Sequence, residues 1–365
     1  MSPSSQIGRR RPLPVVAFLA VVAGVLLVAG CSGGATIRPA ATRGATPASA
    51  SVSPASSSGA APSSAPLASP SGTITLYTSV TQATVDALVG GWKSAHPGVE
   101  VDVFRAPTAE VAARIATDLA SGGLKADVLW LTDPLSIANY ADKGLLQTWT
   151  PPSAAAIDAA YRTDTFFGTR LLNMVMIKGS EVTPGPADWK DLLEAGYKGK
   201  IALPDPGFAG SAFAALGYFS QADGYGTPFY QALKDNGATQ VKAPDDVTTG
   251  VAEGRFMVGM TLDNSARTAI KKGSPITLVW PSSGAIAIYS PIAAVAASAN
   301  LASADSFVDF SLSLPGQALI AGTGWQPVVG PGGPEIGGKQ VSPDWTAAFG
   351  KQKELLASYR AIFGG

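Results

Sequence analysis

The chain has 365 residues, with 26 Lys and Arg against 26 Asp and Glu, one His, one Cys, 46% apolar residues and only 14% charged ones. That length is enough for two domains with their own cores, and a formal charge of zero argues against a nucleic-acid binder, which carries a basic excess. One Cys excludes a disulfide framework and a Cys-based zinc cage, and one His excludes every multi-histidine metal site.

At the N-terminus, Arg9, Arg10 and Arg11 precede a 16-residue apolar run from Val15 to Gly30. A basic segment, an apolar segment and small residues before a cut site describe a secretory signal, too short for the roughly 20 residues of a bilayer span. The run closes as Val28-Ala29-Gly30-Cys31, which resembles the bacterial lipobox. The resemblance implies that residues 1–30 are a lipoprotein signal peptide, cleaved before Cys31, and that the Cys31 sulfur carries a lipid. The bland alternative is an uncleaved N-terminal helix with an incidental Cys. Residues 31–72 read as the lipidated Cys and a tether: from Ser32 to Gly72, 36 of 41 residues are Ser, Gly, Ala, Thr or Pro. Such a stretch cannot offset the entropy of ordering, and its root-mean-square reach is roughly 35 Å. Residues 1–72 carry five Arg and no acid, so the zero is a sum: residues 73–365 hold 21 basic and 26 acidic side chains, a net −5.

From Thr73 strands and helices alternate. Thr73 to Tyr77 reads as a strand, followed by a helix with Val85, Leu88, Val89 and Trp92 on one face and a capping box at Ser79 and Gln82. Val99 to Phe104 is a strand; Val111, Ile115 and Leu119 mark a helix with Thr108 as its N-cap. Asp127 to Leu131 is a buried-type strand, and Asp133-Pro134 caps the next helix. Asp164 to Lys178 reads as a crossing strand pair. A second alternating series runs from Ile201 to Trp280, Ala285 to Ala296 returns, and the remainder from about Ser303 is helical. Repeated strand–helix units mean a largely parallel sheet in each half. The fold class is therefore α/β, in two lobes (73–165 with 284–365, and 166–283) joined by two crossings. Ligands of such sheets sit where strands enter helices.

Sequence motifs for catalysis are missing: there is no GxSxG, no GxGxxG and no GxxxxGK[ST], and the lone His96 lies in a helix-exit turn. The reading favours binding over catalysis, with no cofactor and no metal. Polar residues do cluster at the strand-to-helix turns: Thr78 and Ser79, Thr108, Thr132 and Asp133, Gly210 and Ser211, and Asp263, Asn264 and Ser265. Free N–H groups and the helix dipole make such turns anion sites, and Gly210 lets a ligand approach the backbone. Alternatively each residue simply caps its helix.

The segment order resembles the type 2 periplasmic-binding-protein fold, specifically the extracellular solute-binding proteins of iron, thiamine, phosphonate and sugar-phosphate importers. The similar stretches are Ile74 to Ser79 (ITLYTS), Ala126-Asp127-Val128 with Gly144-Leu145-Leu146, Asp188-Trp189 with Tyr197 to Ile201, Pro204 to Phe213 (PDPGFAGSAF), and Pro315-Gly316-Gln317 with Gln326-Pro327-Val328. The resemblance implies a monomeric receptor on the outer face of the cell membrane, held by the Cys31 lipid, that closes on a small solute and docks on an ABC permease. Iron-binding members place a His after the first strand and adjacent tyrosines after a later one. Here those positions read Val80-Thr81-Gln82 and Leu262-Asp263-Asn264-Ser265. The anion-binding turn persists as Ala209-Gly210-Ser211-Ala212, which implies a phosphoryl, phosphonyl or carboxyl head on an anionic or zwitterionic solute. Asp133 and Asp263 are candidates to pair with an ammonium. Tyr77, Trp130, Tyr289 and Trp325 are candidate walls or core. A ferric-iron receptor of the same fold, a cell-surface hydrolase and an adhesive lipoprotein remain as alternatives.

Overall fold

A computed structural model describes residues 69–364; the signal peptide, Cys31 and nearly all of the tether read from the sequence lie outside them. The first half alternates as the spacing predicts: β1 (Gly72–Thr78), α1 (Gln82–Ala95), β2 (Val99–Arg105), α2 (Thr108–Ala120), β3 (Val128–Trp130) and α3 (Pro134–Asp142). Then β4 (Phe167–Gly179) leads to a second series: β5 (Ile201–Pro204), α4 (Gly210–Phe219), α5 (Thr227–Asp235), β6 (Thr239–Val241), α6 (Pro244–Ala252), β7 (Val258–Leu262), α7 (Asp263–Lys271) and β8 (Ile276–Val279). The chain returns through β9 (Ala285–Ala294) and ends in α8 (Leu301–Leu312), α9 (Leu314–Gly322), β10 (Gln326–Pro327), β11 (Gln340–Val341) and α10 (Trp345–Phe363).

The strand order is β2-β1-β3-β9-β4-β7-β5-β6, with β8 and β10 on β4 and β11 on β9. β2, β1 and β3 are parallel, as are β7, β5 and β6, each set covered by its helices. β4 and β9 are antiparallel to one another and join the sets. The segment read as a crossing strand pair is thus one 13-residue strand, paired with β9 along its first half and with β7 and β8 along its second. Its first eleven residues are all buried, so periodicity offered no place to break it. The result is a two-lobe α/β clamshell whose halves are joined through β4 and β9.

Each lobe has its own aromatic anchor. In the first, α1 turns Val85, Leu88 and Trp92 inward; the Trp92 indole N–H donates to Ser306 Oγ at 3.1 Å and its ring meets Phe307 edge-on at 5.3 Å. In the second, Trp189 and Phe219 cross perpendicularly at 5.4 Å. On the outside, α10 packs against α3, α4 and α5, with Asn139 and Gln352 exchanging amide hydrogen bonds at 2.9 and 3.0 Å.

Two expected caps are corrected. The box of Ser79 and Gln82 does not form: Thr81 is the N-cap of α1, Gln82 donates to Asp86 on the next turn, and Ser79 Oγ accepts the Thr132 N–H instead. Thr108 is the first residue of α2 behind Pro107, which leaves its hydroxyl free for a tertiary role. Asp133 caps α3 as expected, accepting the Ser136 N–H at 2.8 Å.

The register of β4 against β9 slips between Gly168 and Arg170. Such a bulge re-aims the side chain that follows it, and here it is fastened on three sides. Thr169 Oγ1 accepts the Trp130 indole N–H at 2.9 Å and donates to the Ser290 carbonyl at 2.8 Å, while the Thr169 carbonyl accepts from Gln317 at 2.9 Å. Thr169→Val keeps the shape but leaves the buried Trp130 N–H without an acceptor. It is expected to cost about 1–3 kcal/mol in urea unfolding; an unchanged midpoint would mean that the bulge is held by packing alone.

Candidate ligand-binding cleft

Between the lobes lies a cleft of about 510 Å³, large enough for a small metabolite. On the first lobe three strand-to-helix turns meet there through hydroxyls. Thr132 Oγ1 lies 3.0 Å from Thr108 Oγ1 and 3.3 Å from Ser79 Oγ. On the second lobe the wall is the start of α4, Ala209 to Ser211, with α6 and the Asn264–Lys272 face of α7.

The residues named from the sequence divide cleanly. Ser79, Thr108, Thr132, Ala209, Gly210, Ser211 and Asn264 line the cleft. Thr78, Asp133, Ala212 and Asp263 are buried behind it. Thr78 Oγ1 donates to the Trp130 carbonyl and accepts the Val80 N–H, a local turn lock. Asp263 accepts from the Asn173 amide, the Asn264 N–H and the Arg267 guanidinium, the last at 2.8 Å, and so has no free face for a ligand. Of the four aromatics only Trp325 lines the cleft. Tyr77 donates to Asp118, Trp130 holds the bulge, and Tyr289 packs against Tyr161 and Trp345.

Three cationic side chains, Arg105, Arg170 and Lys272, line the cleft against one carboxylate, Asp245, which Ser265 engages at 2.5 Å. The sequence reading missed all of them. Guanidinium groups therefore stand in the same cleft as the helix N-termini and hydroxyls read from the sequence. A signal was present, since Arg170 is the only charged residue between Asp164 and Lys178, and a lone charge in a buried strand needs a reason.

Arg170 is fully buried, and its guanidinium lies over the Trp325 ring at 4.1 Å. Nη1 makes a long contact of 3.5 Å with Thr81 Oγ1, and the Trp325 indole N–H reaches the same hydroxyl at 3.3 Å. Nε and Nη2 have no hydrogen-bond partner among the described residues. These two nitrogens form one edge of the guanidinium, the parallel fork that a carboxylate or phosphoryl group accepts in bidentate fashion. Burial, reinforced by the neighbouring Arg105, pulls its pKa down to about 9, leaving it cationic at neutral pH. Arg105 itself donates through Nε to the Val80 carbonyl at 2.7 Å, which fixes it at the cleft wall. Among the described residues no group of three or more His, Cys, Asp or Glu could hold a metal ion, and no helix is long and apolar enough to cross a membrane.

Comparison with known proteins gives one family. The sequence profile of the bacterial extracellular solute-binding proteins matches residues 74–326. An uncharacterized protein of Haemophilus influenzae is 29% identical over 136 residues, which is 37% of this chain and 39% of that protein, so the chain matches well under half of this relative's length. Among solved structures, the periplasmic binding protein AfuA of Actinobacillus pleuropneumoniae with fructose-6-phosphate bound is similar with a TM-score of 0.72, at 19% identity over 80% of this chain and 98% of that one. Iron-bound HitA of Pseudomonas aeruginosa follows at 0.69 and 20% identity, over 80% and 99%. At these identities the structures speak for the fold.

An unpaired buried charge opposes folding. Arg170→Met, similar in length and apolar, is expected to stabilise the solute-free protein by roughly 1–3 kcal/mol in urea unfolding. Destabilisation would show that the guanidinium is a structural group already satisfied by Trp325 and Thr81.

Proposed function

We infer the function from the family to which this chain belongs, the bacterial extracellular solute-binding proteins of ABC importers. These are binding proteins and not enzymes. Within that frame the chain is read as a receptor for a small anionic solute with a phosphoryl, phosphonyl or carboxyl group. The observation that carries this is the Arg170 fork, buried over Trp325 with Nε and Nη2 unpaired. The α4 turn with Ser211, the first-lobe hydroxyls and Arg105 supply the remaining donors. The fructose-6-phosphate in AfuA is a solute of this chemical kind. HitA holds iron, but the His and Tyr positions expected of a ferric site are Val80 to Gln82 and Leu262 to Ser265 in this chain.

In this reading residues 73–165 and 284–365 form lobe 1 and residues 166–283 lobe 2. The lobes rotate about β4 and β9, and the solute is held only when both walls reach it, so that binding selects the closed form. Because Arg170 sits on the hinge strand itself, its contact with the solute persists through the motion while the α4 turn arrives and leaves. The permease is the partner that reads the closed form. Lipidation at Cys31 and the 31–72 tether would keep the receptor at the outer membrane face within reach of it. The net −5 of residues 73–365 does not attract an anion, so capture rests on these local groups.

A melting-temperature screen over phosphate esters including fructose 6-phosphate, phosphonates, carboxylates and ferric salts tests the reading, since binding to the native state raises Tm by mass action. Oxyanion compounds are expected to raise Tm, and Arg170→Met to weaken the best of them roughly 10- to 100-fold. A shift with ferric salts alone, or undiminished affinity in the variant, would contradict it.

A further inference from the structure

Beside the cleft the start of α4 meets two turns of the first lobe, next to the packing of α3 on α4, and this contact is built around a residue without a side chain. A methyl group on Gly210, at the start of α4, would stand 2.1 Å from Asp133 Oδ2 and 2.8 Å from both Thr108 Oγ1 and Thr132 Oγ1. These groups come from two separate strand-to-helix turns of the first lobe and converge on one backbone position of the second. The neighbouring backbone joins across the same gap, where the Ala109 N–H at the start of α2 donates to the Phe208 carbonyl at 3.4 Å. Only glycine allows this approach.

Asp133 is fully buried in that contact. Its Oδ1 accepts the Ser136 N–H and caps α3, but Oδ2, the atom facing Gly210, has no hydrogen-bond partner among the described residues. An exposed aspartate that only capped its helix would leave no such orphan. A buried carboxylate with one oxygen unmatched is costly as an anion and much less so as an acid. As an acid it also gains a donor, and the Thr108 and Thr132 hydroxyls beside Gly210 are acceptors within the same pocket.

We propose that Asp133, packed against Gly210 between the lobes, is a catch for the closed form whose carboxyl group takes up a proton as the lobes shut. The proposal rests on the receptor reading above and adds to it a regulation of closure. Burial raises the Asp133 pKa to about 7, against the hydrogen bonds at the α3 N-terminus, which lower it. The titratable groups that sense it are the Tyr140 phenol of α3, pushed up to about 12, and the Tyr289 phenol of β9, pushed further. Burial is the main cause for both phenols, with the Asp133 charge second, and both stay neutral throughout the relevant range. No charged side chain is among the causes of the Asp133 shift. When the lobes part, Asp133 meets water and returns toward the ordinary carboxylate range near 4. The sign follows from the linkage. The closed form has the raised pKa, so it binds the extra proton. Acidification therefore favours closing, and the advantage is lost as pH rises through about 7.

The test needs no solute. In the full chain with Cys31→Ser, cysteines introduced at the exposed Glu110 and Asp235, one on each lobe, carry spin labels whose separation reports opening. Between about pH 8.5 and about pH 5 the closed-to-open ratio is expected to rise by up to about 100-fold. Asp133→Asn, which preserves the cap and mimics the neutral acid, should remove that pH dependence, and Gly210→Ala should hold the lobes apart at every pH. Distances that ignore pH, or that respond equally in Asp133→Asn, would overturn the catch. A screen in which no compound raises Tm would instead count against the receptor reading, so the two failures are separable.

Discussion

At the junction of the lobes the structure holds a positive charge out of contact with bulk water. Arg170 stands on β4, one of the two strands that join the lobes, with its face on Trp325 and one edge of its guanidinium unpaired. A protein that only needed to fold would place an apolar residue there, because an unmatched buried charge opposes folding and an aliphatic one supports it. The surrounding architecture nonetheless secures it. The bulge at Thr169 aims it, Trp130, Ser290 and Gln317 fasten the bulge, and Trp325 supplies a polarisable surface that tolerates the cation. The hydroxyls of Ser79, Thr108 and Thr132 and the start of α4 line the same cleft.

Two of the buried groups with unpaired atoms belong to the region between the lobes, Arg170 on β4 and Asp133 beside Gly210. They are unlike in kind. A guanidinium keeps its charge near neutrality and waits for an anion, whereas a carboxyl group meets burial by taking a proton. In the proposed function one makes closing depend on the solute and the other makes it depend on pH.

Much of the fold could be read from the sequence. The 3.6-residue spacing of Val85, Leu88 and Trp92, the Asp133-Pro134 cap and the alternation in Val99 to Phe104 each match what was built. What failed was local hydrogen bonding: Ser79 and Thr108 looked like caps because their residue types suit caps, but their hydroxyls are committed to Thr132 across the turn. In the cleft, helix-start residues such as Gly210 and Ser211 were legible because turns of an α/β sheet gather on one edge. The direction of Arg170 was not, because strand periodicity says which way a side chain points only until a bulge intervenes, and Arg105 is simply the last residue of β2, with nothing in its neighbours to mark it. Asp133 carried two meanings at once, a cap through Oδ1 and a contact through Oδ2, and only the first is written in its neighbours.

The central claim, that the Arg170 fork receives the acid group of the solute, is tested most directly by a crystal structure with the most strongly stabilising compound bound. Two oxygens of its acid group are expected about 3 Å from Nε and Nη2 of Arg170, in the plane stacked on Trp325. A solute whose acid group lies elsewhere in the cleft, with the fork still unpaired, would contradict the account.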